Sequence, residues 1–178
     1  LSSSFISNTS VDVDVRKYLP LGYDFIIAGR FNGVLSRGRD PFISYWGGNN
    51  QVRSADFYTI VGTEGWFANL EFRFPLVSVA NTILGQIGPV RGVFFADLTR
   101  VTFKGYPSVF YEYYDPFGIE TKTYEALGSY GYGIQFFLFG LPMHIEVVGQ
   151  IKVPRMSRFW DFDTAGFTRT KFWIGFDF

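Results

Sequence analysis

The chain has 178 residues, no cysteine, and a formal net charge of zero, because 16 Lys and Arg residues balance 16 Asp and Glu residues. This length suits one domain, the missing basic excess argues against a nucleic-acid-binding protein, and the lack of cysteine excludes disulfides, Cys-based zinc sites and thiol nucleophiles. Aromatic residues form 21% of the chain and charged residues only 18%, yet no run of about 20 apolar residues, the length of a membrane-spanning helix, is present.

Alternating side chains predict the first strands. Residues 11–16 read Val-Asp-Val-Asp-Val-Arg, which places the valines on one face and the charges on the other. A short connection through Pro20 and Gly22 predicts a hairpin, and the alternation resumes over 23–35. Residues 36–62 are rich in Gly, Pro and Asn and are predicted to form a long loop.

The clearest alternation covers residues 66–74, where Asn69, Glu71 and Arg73 lie opposite the apolar side chains. Pro75 is expected to end this strand. A second long loop is predicted at 105–126 and a short turn at Pro142. The remaining predicted strands cover 90–103, 127–139, 143–153 and 169–178.

Each predicted strand has one apolar and one polar face. The strands are also long: their lengths are close to about 10 residues, the length that crosses a bilayer, whereas strands of globular proteins most often have about 5 to 6 residues. Short turns alternate with long loops, as in outer-membrane barrels. We therefore predict an all-β fold, an antiparallel transmembrane β-barrel segment of about seven to eight strands in a single domain over 1–178, with rings toward lipid and charges toward a wet lumen. An odd strand number leaves the first and last strands parallel, so the chain is not expected to close by itself.

The alternative is a soluble antiparallel barrel or sandwich, whose strands also alternate. The strand lengths given above argue against it. Reversing the faces would also bury many charges in a dry core, which is very unfavourable without complete pairing; these charges are Asp12, Asp14, Asp24, Glu71, Asp97, Glu146 and Lys152.

Two segments carry a resemblance to a known family. Gln-Val-Arg-Ser-Ala-Asp-Phe-Tyr at 51–58 precedes Asn-Leu-Glu-Phe-Arg-Phe-Pro-Leu at 69–76. Together they resemble the bacterial surface antigen family, sixteen-stranded barrels that insert other barrels into the outer membrane or export polypeptides. The resemblance covers roughly residues 50–178 and implies the C-terminal half of such a barrel.

In that family a loop folds back into the lumen, and the Arg of its Val-Arg-Gly-aromatic tip faces acidic residues on following strands. The resemblance implies that the external loop 36–62 enters the lumen and that Arg53, Glu71 and Asp97 form a lumenal lock; here Ser54 and Ala55 stand where the family has Gly-aromatic. A guanidinium inside a protein lumen needs carboxylates in fork geometry. Each carboxylate at about 4 Å and an effective dielectric near 20 contributes a Coulomb attraction of about 4 kcal/mol, from which the cost of desolvation is subtracted. The alternative is an arginine on a solvated loop.

The last strand resembles the C-terminal β-signal by which assembly machinery recognises outer-membrane strands. The residues that carry this resemblance are Phe172, Ile174, Phe176 and Phe178. The expected partners are outer-membrane lipid, the assembly machinery through this strand, and a second chain or a missing N-terminal half that completes the barrel; nucleic acid is not expected. The expected location is a bacterial-type outer membrane.

The resemblance implies a function in insertion of outer-membrane proteins or translocation of polypeptides, at a weakly held seam between the first and last strands, where unpaired edge groups template an incoming strand. The alternative is a structural or pore-forming subunit that shares a barrel with another chain, for example as a homodimer.

No catalytic site, cofactor or metal site is expected. His144 is the only histidine, so a lipase-like triad would depend on it, but its predicted lumenal position favours a structural role. Asp161 and Asp163 are two carboxylates where calcium needs 6 to 8 oxygens, so a solvated turn is the preferred interpretation. Several tyrosines are predicted to form an interfacial girdle, with recognition of lipid or a partner as the alternative; they are Tyr106, Tyr111, Tyr113, Tyr114, Tyr124, Tyr130 and Tyr132.

Overall fold

The structure is a computed structural model, and it describes residues 6–78, 80–83, 85–87, 89–106, 112–113, 122–154 and 163–175. Strands dominate these ranges. None of the described residues belongs to a helix long and apolar enough to span a membrane.

Twelve strands are present in the described part of the chain. They are β1 (Asn8–Gly22), β2 (Phe25–Gly38), β3 (Ser44–Trp46), β4 (Ile60–Gly62), β5 (Glu64–Val77), β6 (Ala80–Thr82), β7 (Gly85–Ile87), β8 (Val90–Thr102), β9 (Glu112–Tyr113), β10 (Lys122–Leu138), β11 (Leu141–Pro154) and β12 (Asp163–Ile174). The main sheet has the order β1-β2-β5-β8-β10-β11-β12, with β9 added beside β10, and all its pairings are antiparallel. The prediction of an all-β antiparallel fold is confirmed.

The connections differ in length between the two ends of the sheet. Tyr23 and Asp24, with φ of 51° and 63°, join β1 to β2, and Phe139 and Gly140, with φ of 53° and 78°, join β10 to β11. Two consecutive left-handed residues are typical of tight hairpin turns whose twist matches that of the strands. The long connection 39–63 lies at the opposite end, because β2 runs away from the first of these turns.

Several predicted boundaries are wrong. β1 continues through Pro20, which an edge strand tolerates, and the turn follows Gly22. β5 continues through Pro75 to Val77, because its pairing with β2 ends at Arg73 and the missing N–H of Pro75 therefore breaks no hydrogen bond on that side.

Two predicted loops also contain strands. The loop predicted at 36–62 begins only after Gly38 and contains the small β3–β4 hairpin. The loop predicted at 105–126 is wrong at its end, because β10 already begins at Lys122, and β9 pairs with it there. The last strand covers Asp163–Ile174 and begins before the predicted 169.

The two faces of the main sheet have opposite character. We call the face that carries Asp14, Glu71, Asp97 and Glu146 the polar face; the last three of these residues are fully buried. The other face, the apolar face, carries exposed large side chains on every main strand, so burial is the inverse of a soluble sheet, in which the charged face meets solvent. The exposed side chains include Val13, Phe31, Leu70, Phe94, Tyr132, Ile145 and Phe172.

The sheet is open. Within the described residues β1 pairs only with β2 and β12 only with β11, and the odd number of antiparallel strands makes these two edges run in the same direction. Arg16 of β1 and His144 of β11 nevertheless line one cavity, although in a flat sheet their strands would be about 24 Å apart. The sheet therefore curves strongly, with the polar face on its concave side.

A small hydrophobic core lies on the polar face, not on the apolar one. It forms between the connection 39–63 and the sheet, and Trp46 packs edge-on against Phe67 with ring centroids 5.7 Å apart. Its buried members are Trp46, Val52, Ala55, Ile60, Phe67, Val101 and Leu127. This core holds the connection against the concave surface.

Candidate functional site

The connection between β2 and β5 folds back over the polar face through residues 47–56, which we call the inserted segment. Gly47 and Gly48 have φ of 108° and 105°. A Cβ on Gly47 would lie 2.4 Å from the Asp56 carbonyl oxygen, so only glycine fits there. The Gly48 N–H donates to the Ala55 carbonyl at 3.3 Å and closes the segment on itself.

The inserted segment contacts six of the main strands. On the side of β2 and β5, Arg30 donates to the Asn50 carbonyl at 3.2 Å, and the Asn69 amide donates to the Gln51 carbonyl. The contacts with the other four strands are Arg53 with Asp97 of β8, Ser54 Oγ with the Gly128 carbonyl of β10 at 2.8 Å, Arg53 with Glu146 of β11, and Arg169 of β12 with Asp56 at 2.8 Å. The segment therefore bridges nearly the whole width of the curved sheet.

Arg53 is the centre of these contacts. Its side chain is buried, and three carboxylates from three strands surround the guanidinium. Nη1 lies 2.9 Å from Asp97 Oδ1, Nη2 contacts Glu71 Oε1, and Nε lies 3.2 Å from Glu146 Oε2. The planar fork of an arginine suits this arrangement, because its nitrogens point outward in one plane toward separate acceptors.

Asp97 is saturated with hydrogen bonds. Its Oδ1 accepts from Arg53 Nη1 and from Asn69 Nδ2, both at 2.9 Å. Its Oδ2 accepts from Ser129 Oγ at 2.6 Å and from the Arg53 backbone N–H at 3.2 Å. Asn69, Asp97 and Ser129 lie side by side in the register of β5, β8 and β10, so this buried carboxylate is held by both neighbouring strands.

The other two carboxylates have additional donors. Glu71 Oε2 accepts from Arg73 Nε at 2.8 Å, and Glu146 Oε2 accepts from Trp173 Nε1 at 3.1 Å. Lys171, paired with Glu146 in the register of β11 and β12, reaches Asn49 of the inserted segment at 3.3 Å. Three cations thus offset three anions in this cluster, which suits a buried site where each isolated charge would be strongly unfavourable.

Small residues on β10 make room for the cluster. A Cβ on Gly131 would lie 2.0 Å from the Val147 carbonyl oxygen and 2.7 Å from the Phe95 ring. The guanidinium carbon of Arg53 lies 4.1 Å from the centroid of that ring, a distance at which the cation is attracted to the ring face. Gly131 therefore lets Phe95 form the floor under Arg53.

The charge of Arg53 is permanent. Burial by itself lowers the pKa of Arg53, but the facing carboxylates of Asp97, Glu71 and Glu146 outweigh burial and raise this pKa above its ordinary value. The guanidinium is thus held ionised, and the cluster acts as a fixed ionic contact between loop and sheet. The guanidinium itself does not release a proton at neutral pH.

The structure brings Arg53 of the connection into contact with Glu71 of β5 and Asp97 of β8, the two carboxylates that the sequence analysis placed opposite it. The sequence analysis missed Glu146, Ser129, Asn69 and Trp173 as members of the cluster. All four lie on the polar faces of their strands, and the alternation of the sequence does show this. Alternation does not show which of the polar residues on each strand lie beside Arg53.

The residues predicted as a β-signal are described only in part. Phe172 and Ile174 lie on the apolar face of β12 and are exposed. Phe176 and Phe178 fall outside the described residues.

His144 is buried and held by two contacts. Its Nε2 lies 2.8 Å from the Gly175 carbonyl oxygen, and its ring stacks on Trp173 with centroids 3.6 Å apart and planes 6° apart. The ring is thus part of the packing between β11 and β12. Within the described ranges, no group of three or more His, Cys, Asp or Glu residues is arranged to hold a metal ion.

The predicted loop acids and girdle tyrosines differ in their outcomes. Asp163 begins β12 and accepts from Tyr124 Oη at 3.0 Å, so neither is a free surface residue, and the placement of Tyr124 in a girdle is wrong because it is buried. Tyr106 and Tyr132 are exposed. Asp161, Tyr111 and Tyr114 lie outside the described residues, as does the side chain of Tyr113.

No protein-family model, no curated protein and no solved structure significantly matches this chain.

Proposed function

We propose that this chain is part of a transmembrane β-barrel of the bacterial surface antigen type, in a bacterial-type outer membrane, that acts in insertion of outer-membrane proteins or translocation of polypeptides. The supporting observation is the inverted burial of the sheet. Charged side chains are covered on the concave face, whereas Leu70, Phe94 and Phe172 on the convex face are 57%, 54% and 60% exposed.

An apolar surface that extends over all the main strands needs an apolar environment. Large exposed patches of this kind mark contact with a membrane or a protein. The rings of Phe25, Phe72, Phe74 and Phe94 stack in sequence along this face, with centroids 5.9, 5.8 and 5.4 Å apart. In a soluble sandwich a second layer would cover this face, but the layer formed by the connection 39–63 packs on the polar face instead.

The edges of the sheet support the insertion activity. The outer backbone groups of β1 and β12 have no strand partner among the described residues, and unpaired edges template an additional strand. An incoming barrel strand would pair with β12 while its apolar side chains continue the convex surface into lipid. The inserted segment, fixed through Arg53, would keep the sheet curved during this exchange.

The rival proposal, a structural or pore-forming subunit that shares a barrel with another chain, rests on the same two open edges. It differs in what the edges do, since permanent partners would occupy both of them. No incoming strand would then find a pairing site.

The orientation of the faces is testable with single cysteines, because the chain has none of its own. A spin label at Leu70→Cys or Phe94→Cys, in the full chain reconstituted into lipid vesicles, should be accessible to oxygen and shielded from a water-soluble nickel chelate. Tyr58→Cys, at an equally exposed loop residue, is the control and should show the reverse. Equal access of the chelate to all three labels would overturn the membrane placement.

Insertion itself is tested by the folding rate of a small outer-membrane barrel into vesicles with and without the full chain. We expect faster folding with the chain, and a cross-link from a cysteine at Thr170 of β12 to the client strand. Ion conductance through the vesicles without accelerated folding would favour the pore-forming subunit and contradict the insertion proposal.

A further inference from the structure

A cavity of about 430 Å³ lies on the polar face between the first two strands and the connection 39–63. Its volume falls in the range of about 300–1,000 Å³ that is usual for sites that bind small molecules. One wall carries charged and amide side chains of β1 and β2, and the other carries aromatic side chains of the connection. None of the residues of the Arg53 cluster lines this cavity, so it is a separate site.

The aromatic wall lies on the side of the sheet opposite to the apolar face. Phe42, Tyr45 and Tyr58 line the cavity, and each of them is more than half exposed. They belong to the connection that packs on the polar face, so contact of the apolar face with a membrane does not account for their exposure. Exposed apolar side chains that lie together mark a contact surface for a ligand or a partner.

The polar groups at this cavity have hydrogen-bonding capacity left over. Asp12 Oδ1 accepts from the Asn32 amide at 2.8 Å, and Asp12 Oδ2 has no partner among the described residues. Gln51 Oε1 accepts a backbone N–H at 2.7 Å, whereas the Gln51 amide nitrogen donates to no residue in the same ranges. The hydroxyls of Tyr45 and Tyr58 also form no hydrogen bond within the described part of the chain. The cavity therefore presents an acceptor, a donor and two groups that can do both.

Charges of both signs lie at the wall formed by β1 and β2. Asp14 accepts from Arg16 at 2.8 Å and from Arg30 at 2.7 Å, and Arg30 lines the cavity together with Asp12 and Asp14. A cationic ligand would meet the Arg30 guanidinium, and an anionic ligand would meet the Asp12 carboxylate. Because like charges repel, the cavity favours a ligand without net charge.

We infer that this cavity binds a neutral sugar, as a mono- or disaccharide unit dissolved in water. Sugar hydroxyls both donate and accept hydrogen bonds, which matches the mixed groups of Asp12, Gln51 and Tyr58. The C–H faces of a sugar ring are apolar and leave water when they pack on aromatic rings, which Phe42 and Tyr45 supply. The cavity lies on the polar face, so the ligand arrives from water and not from the lipid that the apolar face would contact. This inference depends on the cavity alone and not on the proposed function.

Binding is measured by titrating the full chain with maltose, lactose and N,N′-diacetylchitobiose, each followed by saturation-transfer NMR of the sugar. The detergent is of the polyoxyethylene type, because glucoside and maltoside detergents carry sugar headgroups themselves. We expect saturable binding of at least one of these disaccharides. Asp12→Asn should weaken it by about fivefold, since an amide keeps the shape of the carboxylate but forms weaker hydrogen bonds. Tyr45→Ala should weaken it by about threefold to tenfold through loss of the ring.

Asp24→Asn and Tyr106→Ala are the matched controls. Asp24 lies in the exposed turn between β1 and β2, at the opposite end of the sheet, and Tyr106 is exposed but lines a different cavity. Both controls should bind the sugar as the unmodified chain does, and far-UV circular dichroism should show that all four variants are folded. No binding of any of the disaccharides, an equal loss in the controls, or tighter binding of a Lys-rich or Glu-rich peptide than of the sugars would overturn the inference.

Discussion

Arg53 joins a loop to three strands through one side chain. Its contacts with Glu71, Asp97 and Glu146 are buried from water, where removing one partner costs more than the pair itself contributes, because the remaining charges stay uncompensated. Loss of this guanidinium would leave three carboxylates with reduced neutralisation. The inserted segment would then lose its strongest attachment to the sheet.

We therefore predict that Arg53→Ala loosens the connection 39–63 and leaves the strands of the main sheet intact. If removal of the buried charge costs about 3 kcal/mol, opening of the segment becomes more favourable by roughly a hundredfold. Limited proteolysis should show a corresponding rise in cleavage within 39–63, while far-UV circular dichroism keeps its β-sheet signal.

Arg37→Ala serves as the control, since its exposed guanidinium lies 3.7 Å from Glu64 and exposed ion pairs contribute little. Cleavage in this variant should stay at the level of the unmodified chain. An Arg53→Ala chain as resistant to protease as the original would show that the loop is held by its hydrophobic contacts alone.

At the scale of elements, β10 depends on its glycines for close packing against β8 and β11. Gly131 is the tightest case, because a methyl group there would clash with the Val147 carbonyl and the Phe95 ring. Backbone atoms do not yield easily, so the strands would have to separate locally. Separation would also shift the floor beneath Arg53.

Gly131→Ala should consequently lower the free energy of unfolding by about 1–3 kcal/mol or more, the usual range for overpacking. Gly166→Ala on β12 is matched to it, since a Cβ there meets no atom within 4 Å, and it should change stability by no more than about 0.5 kcal/mol. Urea unfolding in detergent, followed by tryptophan fluorescence, measures both. Equal stability of the two variants would contradict the close packing of β10.

The strands differ in how well the sequence predicted them. β5 was predicted well because polar and apolar residues alternate over most of its length, and β1 and β11 share this property. The start of β10 was missed because the surrounding aromatic and proline-rich composition favours a loop, and Pro75 was taken as an end because the sequence does not reveal where pairing with β2 stops.

The candidate site could be predicted from the sequence only in part, because the sequence does not reveal the register between strands. Alternation assigns a residue to a face, but the register between strands decides which residues meet. Glu71 and Asp97 were selected through the family resemblance, whereas Glu146 and Ser129 could be chosen only once the pairings of β10 with β8 and β11 were known.

At the scale of the whole molecule, the direction of the two edges decides what can complete the sheet. β1 and β12 run the same way because the main order, in the part of the chain that the structure describes, has seven antiparallel strands. Two copies of the chain in the same membrane orientation would meet β12 against β1 in parallel. A fully antiparallel closed barrel instead requires an odd number of further strands, from another segment or another polypeptide, consistent with the even strand numbers of single-chain bacterial barrels.

We predict that the chain alone forms neither a closed monomer nor a closed homodimer. Its mass in detergent, measured by light scattering, should be that of a monomer, and it should lack the heat-modifiable gel mobility of closed barrels. Cysteines introduced at Val13 of β1 and Thr170 of β12 should not form a disulfide between copies, because antiparallel pairing of these edges in one orientation is impossible. A heat-modifiable homodimer with this cross-link would show that β1 and β12 of two copies pair in parallel. It would favour the proposal of a subunit that shares a barrel over the proposal that a free edge pairs with incoming strands.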